Sequence, residues 1–279
     1  MDLTPLISVD ELHARLHDAR IRILDCRFEL SDSSAGRRAY SIGHIPGAHF
    51  VDLEQDLSDL RLVATRGRHP LPTDAQLSAV LGRLGADSES ELVCYDAAEG
   101  MFAARAWWLF WKSTQLRVRV LDGGLKAWQA AGYGLSTDVP NSASTHLRAS
   151  LDRGAWIAAD DIPGFQKGGV LIDARGAPRF RGEIEPIDPV AGHVPGAINA
   201  PFSDNLRDGK FKAVDELEAR FRPLIGQSAA QVAHMCGSGV TACHNLLAME
   251  LAGLKGSRLF ADSWSGWITD PERPIATGE

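Results

Sequence analysis

No stretch of this 279-residue chain stays apolar for long. Its most apolar run, "AWWLFW" from Ala106 to Trp111, falls far short of the ~20 residues needed to span a bilayer, so no membrane association is expected. The N-terminus, "MDLTPLISVDELHARL", lacks a basic segment followed by an apolar one and does not read as a secretory signal. Cysteine is scarce: Cys26, Cys94, Cys236 and Cys243 are all there is. None form a CxxC pair and no Cys/His cluster has zinc spacing. That excludes a disulfide framework, argues against a structural metal, and points to a reduced, cytoplasmic protein. Positive charge is also short. The 29 Lys and Arg against 36 Asp and Glu leave a formal net charge of −7, which weighs against nucleic acid as a partner.

Repetition is present instead. "GHIPGA" (Gly43 to Ala48) recurs as "GHVPGA" (Gly192 to Ala197). Each follows an apolar run ending in Asp-x-Arg, "IRILDCR" to Arg27 and "GVLIDAR" to Arg175. Then come "ELVCYDA" (Glu91 to Ala97) and "QVAHMCG" (Gln231 to Gly237), and finally "LDGGLKAW" and "FADSWSGW". Four landmarks in one order indicate a duplication, and two copies make a tandem of domains rather than a solenoid. The expected division is residues 1–138, a linker at 139–155 that is dense in Ser, Thr, Asn, Pro and Gly, and residues 156–279.

Within each half, short apolar runs alternate with helix-period segments, which predicts an α/β layout with a mainly parallel sheet flanked by helices. Ser8 followed by Glu11 reads as a capping box, and Asp215 as the cap of "AVDELEARFRPLI". Trp107, Trp108 and Trp111 read as packing residues. The GHxPGA strings are turns first, with Pro setting φ and Gly supplying freedom. His44 and His193 therefore read as hydrogen-bonding residues of those turns rather than catalysts.

In "HMCGSGVTACHNLLAMELAGL" the strand should end at Met235 and the helix begin near Val240. Cys236 then sits at a strand end facing a helix N-terminus. Gly237 and Gly239 let the backbone fold so that its N–H groups converge. Such a cradle, at the positive end of a helix dipole, favours an anion such as a thiolate or persulfide. The bland alternative is an inert buried thiol, which suits Cys26 and Cys94 well. Cys243 reads as a packed helix residue, with a resolving thiol as the other possibility. Cys-dependent phosphatases need an Arg six residues after the cysteine; here that position is Ala242, so that chemistry is rejected.

The paired GHxPGA turns, the Asp-x-Arg strands, the "CGSGVTA" loop and the C-terminal "SWSGW…DPERPIATG" together resemble two-domain rhodanese-type sulfurtransferases over nearly the whole chain. The resemblance implies two tandem rhodanese-like domains. Only the second is catalytic; the first, with Asp96 at the cysteine position, covers the active site as a scaffold in which Asp96 and Arg105 can pair. It implies sulfur carried as a persulfide on Cys236, held by the Gly237, Gly239, Val240 and Thr241 loop. No metal and no organic cofactor are required. Partners would be a small sulfur donor and a thiophilic acceptor: cyanide, a thiol or a thioredoxin-like dithiol.

The loop form Cys-Gly-Ser-Gly-Val-Thr resembles that of members preferring 3-mercaptopyruvate. Members preferring thiosulfate carry Cys-Arg-Lys-Gly-Val-Thr. The resemblance further implies a relay of Ser238, His69 and Glu54, with Asp52 as the other candidate acid. Substrate carboxylate would be held by Arg179. The second arginine expected nine residues on is replaced by Asp188, and Arg181 is the candidate substitute. "FADSWSGW" departs from Gly-Ser-Trp-Ser-Glu-Trp at Asp262 and Gly266. Two other readings stay open: thiosulfate as donor, and a non-catalytic persulfide carrier.

Overall fold

A computed structural model describes residues 4–97, 99–226 and 228–279. The chain divides into two compact units, one formed by Met1–Ser58 and Pro72–Asp152, the other by Asp59–Leu71 and Arg153–Glu279. A short segment from the middle of the first half thus belongs with the second. The sequence carries no composition shift there, because the segment is an excursion of a continuous chain and not a linker.

In chain order the strands are β1 Leu6–Ile7, β2 Ile21–Asp25, β3 Ala48–Phe50, β4 Glu91–Tyr95, β5 Arg117–Leu121, β6 Trp156–Ile157, β7 Val170–Asp173, β8 Ile198–Asn199, β9 Leu206–Arg207, β10 Lys210–Phe211, β11 Val232–Met235 and β12 Arg258–Phe260. The helices are α1 Val9–Ala14, α2 Ala35–Ile42, α3 Val63–Arg66, α4 Asp74–Arg83, α5 Met101–Ser113, α6 Gly124–Ala130, α7 Ile162–Phe165, α8 Ala177–Phe180, α9 Val214–Phe221, α10 Ala242–Leu251 and α11 Ser263–Trp267.

Each unit holds one five-stranded sheet, ordered β1-β5-β4-β2-β3 and β6-β12-β11-β7-β8, with every pairing parallel. The orders superimpose landmark for landmark, as the duplication predicts. Both faces of the central strands are buried, which is why they read as apolar runs rather than alternating ones. On β11, Val232 packs with Phe221 and Met249 on one face, while Ala233 and Met235 pack with Phe260 and Trp264 on the other.

The repeated motifs do the same work twice. Arg27 forks onto Asp25 and donates to the Gly43 carbonyl at 2.8 Å; Arg175 forks onto Asp173 and donates to the Gly192 carbonyl at 2.8 Å. In each unit the buried pair pins the end of a strand to the GHxPGA turn, and bidentate geometry offsets the desolvation of two charges. His44 and His193 bond the Tyr40 and Phe180 carbonyls and stack on those rings, in keeping with the hydrogen-bonding role read for them. Trp107 and Trp108 are buried in α5, and Trp111 stacks on Trp107.

Helix caps differ in detail from the sequence reading. The Ser8 hydroxyl accepts from the Glu11 N–H as expected, but the Glu11 carboxylate turns away to pair with Arg119. Asp215 lies inside α9 rather than capping it; the cap residue is Ala213, whose N–H reaches the Glu216 carboxylate. An acid in the first turn serves the dipole from either place, so sequence alone separates the two poorly. α10 begins at Ala242, not Val240, because residues 237–240 are spent on the loop.

At the carboxyl end of β4, Asp96 fills the position that Cys236 holds at the end of β11. Its carboxylate accepts from Gly100 N–H at 2.9 Å on one oxygen, and from Phe102 and Ala103 N–H at 2.9 and 3.2 Å on the other. The first unit therefore keeps an anion cradle and occupies it with its own side chain. Asp96→Ala should lower the unfolding free energy by about 1–3 kcal/mol, by stranding helix N–H groups. Asp96→Asn should do no better, since its amide N–H2 must face N–H donors; a neutral Asn variant in urea melts would show that the cradle is not built this way.

His234 on β11 is wholly buried, and burial lowers its pKa to about 3. Its Nδ1 has no hydrogen-bond partner among the described residues. The unfolded chain takes up a proton below about pH 6.5 that the folded chain refuses, so stability falls as pH drops from about 6.5 toward 3. The slope from this residue is up to about 1.4 kcal/mol per pH unit. Denaturation midpoints of His234→Leu should decline less steeply than the parent's over that window; identical slopes would mean the ring takes up its proton while folded.

Candidate active site

Cys236 lies at the carboxyl end of β11, the central strand of its sheet, where ligands of open parallel sheets gather. The residue is buried, as are Gly237, Ser238, Gly239 and Val240 after it. Gly239 adopts φ +75°, a left-handed conformation that favours glycine and turns the loop into α10. The amides of Gly237, Ser238, Val240 and Thr241 donate to no acceptor among the described residues. Backbone donors without an acceptor at the start of a helix suit an anion from outside the fold.

The turn at α11 holds the loop from behind. Cys236 N–H donates to the Ser263 hydroxyl at 3.1 Å, Trp264 N–H to the Cys236 carbonyl at 3.0 Å, and Ser265 N–H to the Gly237 carbonyl at 2.8 Å. The Ser263 hydroxyl in turn donates to the Phe260 carbonyl. Ser263 has φ +53°, an uncommon value for a residue with a side chain, and the strain sits at this brace. Cys243, one element on, donates its thiol to the Gly239 carbonyl at 3.3 Å and is buried in α10.

The excursion Asp59–Leu71 brings the remaining polar groups. His69 Nδ1 lies 2.8 Å from the Ser238 hydroxyl, and both residues are buried. Arg68 N–H donates to the Ser265 hydroxyl at 3.0 Å, which docks this segment on the same turn that braces Cys236. The Arg68 guanidinium pairs with Asp188. Asp188 also receives Arg179 at 3.1 Å, and Arg179 forks onto Glu185 at 2.7–3.1 Å. Glu185 and Asp188 are themselves buried, and Glu185 reaches Arg175 at 3.5 Å. Arg68, Arg175 and Arg179 thus face Asp173, Glu185 and Asp188, a formally neutral cluster at the edge of the loop.

Asp188 does not turn outward. It is the anchor for two guanidinium groups, and its charge is cancelled locally. Arg68 was not singled out from the sequence. The signal available was Asp188 itself, an acid whose burial demands a cation, but the partner lies far away in the chain. Arg181, the candidate substitute, pairs with Glu183 at the surface. Glu54 and Asp52 belong to the first unit. Asp52 accepts from the Glu54 and Gln55 N–H groups, capping a turn, while the half-buried Glu54 has its carboxyl pKa raised by burial and by Asp52. Among the described residues no cluster of three His, Cys, Asp or Glu is placed to hold a metal, and no helix is long and apolar enough to cross a membrane.

The Rhodanese-like domain model matches residues 8–131 and again 160–270. The chain belongs to the rhodanese family. A Pseudomonas aeruginosa protein carrying a provisional 3-mercaptopyruvate sulfurtransferase name is 48% identical, with 100% of both chains covered. A Mycobacterium tuberculosis protein carrying a provisional thiosulfate sulfurtransferase name is 41% identical over 92% of this chain and 91% of its own. The crystal structure of an Escherichia coli 3-mercaptopyruvate sulfotransferase matches with TM-score 0.82 and 30% identity, covering 94% of this chain and 100% of that one. The tandem of mainly parallel sheets flanked by helices is that of two rhodanese domains.

The two departures in this rhodanese's "FADSWSGW" have one physical cause, the docked excursion. Asp262 accepts from Arg66 at 3.2 Å and from Ala159 N–H at 2.8 Å. A Cβ on Gly266 would lie 2.6 Å from the Asp262 Cβ and 2.9 Å from the Arg66 carbonyl oxygen, so no larger residue fits there unless both move. Ser263→Ala should cost about 1–3 kcal/mol, by removing the acceptor of a buried N–H and keeping the strain. Ser263→Gly should cost less, since glycine adopts the same φ freely. Unfolding of the two variants should rank in that order; the reverse order would mean that Ser263 is not strained.

Proposed function

We propose that this protein is a sulfurtransferase that moves sulfur from 3-mercaptopyruvate to a thiophilic acceptor through a persulfide on Cys236. The observation that carries the donor choice is the 2.8 Å contact between His69 and Ser238 in the loop that starts at Cys236. Names of relatives over the full chain support the same reading. The residues from 156 onward form the catalytic half, and the first half, its cradle filled by Asp96, carries no sulfur.

The Cys236 thiolate attacks the donor sulfur. The carbon–sulfur bond breaks, its electron pair leaving as the enolate of pyruvate. The donor's thiol proton passes through Ser238 and His69 to the enolate carbon, giving pyruvate and the Cys236 persulfide anion. The amides of Gly237, Ser238, Val240 and Thr241 hold that anion, in the manner of an oxyanion hole. Glu54 is the relay acid in this scheme, as Asp52 is committed to its turn. The loop edge, lined by guanidinium groups, receives the donor carboxylate; Arg181, paired at the surface, is the weakest of the candidates. Cyanide then takes the outer sulfur as thiocyanate, or a thiol takes it as a persulfide, and the thiolate returns. A dithiol would release the sulfur as sulfide and become a disulfide. All four cysteines are buried free thiols, in keeping with a reducing, cytoplasmic setting.

Thiosulfate is the second reading, favoured by one observation: Arg68 and Arg179 place guanidinium groups beside Gly237, where the loop itself has no cation. The two donors differ in proton demand. Sulfite leaves thiosulfate as a stable anion and needs no proton, whereas the enolate does. Ser238→Ala and His69→Ala should therefore lower kcat with 3-mercaptopyruvate about 10²–10⁴-fold and spare thiosulfate turnover. Cys236→Ser should abolish both. Faster wild-type turnover of thiosulfate, or equal losses with both donors, would reverse the assignment. Sulfur uptake on Cys236 without turnover would favour a persulfide carrier.

A further inference from the structure

We infer that Arg68, carried in by the Asp59–Leu71 excursion, is the residue that binds the carboxylate of the sulfur donor and selects for it. The inference rests on the mercaptopyruvate reading and names the cation that reading needs.

Gly237 directly follows Cys236 and presents one face of the loop to two cations. A Cβ placed on Gly237 would lie 2.7 Å from an Arg68 guanidinium nitrogen and 3.5–3.6 Å from two of Arg179. These two cations line that face, and they are held differently. Arg179 is committed on two sides, with three contacts to Glu185 and one to Asp188. Arg68 meets Asp188 through a single terminal nitrogen, and its Nε is buried with no partner among the described residues. Its side chain is 23% exposed, so the group is accessible without being solvated freely. Burial pulls its pKa down.

The mounting is rigid. The Arg68 N–H is fixed to Ser265, whose own N–H holds the Gly237 carbonyl, so cation and loop share one brace. Gly67 at φ +81° lets the chain turn there. Asp188 is fixed by its N–H to Glu185 and by Arg179. Its role is to aim Arg68, and the cluster's neutrality suits one incoming carboxylate better than a dianion. A planar fork with spare donors is the group that recognises a carboxylate in two-point fashion.

The test pairs two donors with two variants. Mercaptoacetone carries the same thiol and ketone as 3-mercaptopyruvate but no carboxylate. Arg68→Met should reduce kcat/KM for 3-mercaptopyruvate about 10–100-fold, mainly through KM, and change that for mercaptoacetone less than about twofold. Arg68→Lys should recover part of the loss. Titration calorimetry of pyruvate into Cys236→Ser protein, with and without Arg68→Met, reads the same contact with no turnover; a loss of at least about tenfold in affinity is expected. Equal losses with both donors, pyruvate affinity unchanged by Arg68→Met, no measurable pyruvate binding, or a carboxylate-specific loss only in Arg179→Met would each overturn the role of Arg68. The proposed donor fails separately, when wild-type protein turns over thiosulfate faster. The pyruvate titration still decides Arg68 in that case. Thermal midpoints and the rate of Cys236 alkylation by iodoacetamide, a neutral reagent, report whether a variant has lost its fold.

Discussion

A tight turn from a buried parallel strand into a helix leaves several backbone N–H groups pointing at one spot with no acceptor of their own. Everything else in this chain answers that demand. Burying such donors unpaired is costly, so each unit supplies an anion. In the first, Asp96 provides it from within the fold, accepting from Gly100, Phe102 and Ala103. In the second, no acceptor among the described residues reaches the amides of Gly237, Ser238, Val240 and Thr241, and the residue at the spot is Cys236. A single difference, a carboxylate in one unit against a thiol in the other, separates the two cradles.

Holding that loop open requires support from elsewhere, and the α11 turn gives it. Ser263, Trp264 and Ser265 together satisfy the Cys236 N–H and the Cys236 and Gly237 carbonyls. The same turn receives the Arg66–His69 segment through Asp262 and Ser265. One brace thus holds Cys236 and docks the segment that carries Arg68 and His69. Asp262 and Gly266 both meet Arg66 there.

The charge cluster follows a second rule: buried carboxylates appear where guanidinium groups must be aimed. Asp173, Glu185 and Asp188 hold Arg175, Arg179 and Arg68, and Arg175 alone repeats a pair from the first unit. The repeated pair is architectural, tying a strand to its turn. The pairs that are not repeated lie against the loop with the cysteine. Duplication has kept the scaffold and changed the side chains that face the chemistry.

Much of this was legible in the sequence. The duplication, the parallel α/β layout and the place of Cys236 at a strand-to-helix turn follow from local signals: apolar run length, glycine at a left-handed position, and repeated strings. The Ser238–His69 contact was expected only through family resemblance, and the geometry agrees with it. Some things only tertiary structure decided. The excursion of Asp59–Leu71 into the second unit leaves no mark on composition, because docking depends on surfaces formed by residues far along the chain. Asp188 read as an unfavourable charge in a linear segment. In the fold it is a buried partner of Arg68 and Arg179, since an ion pair is a relation in space and sequence order does not encode the distance.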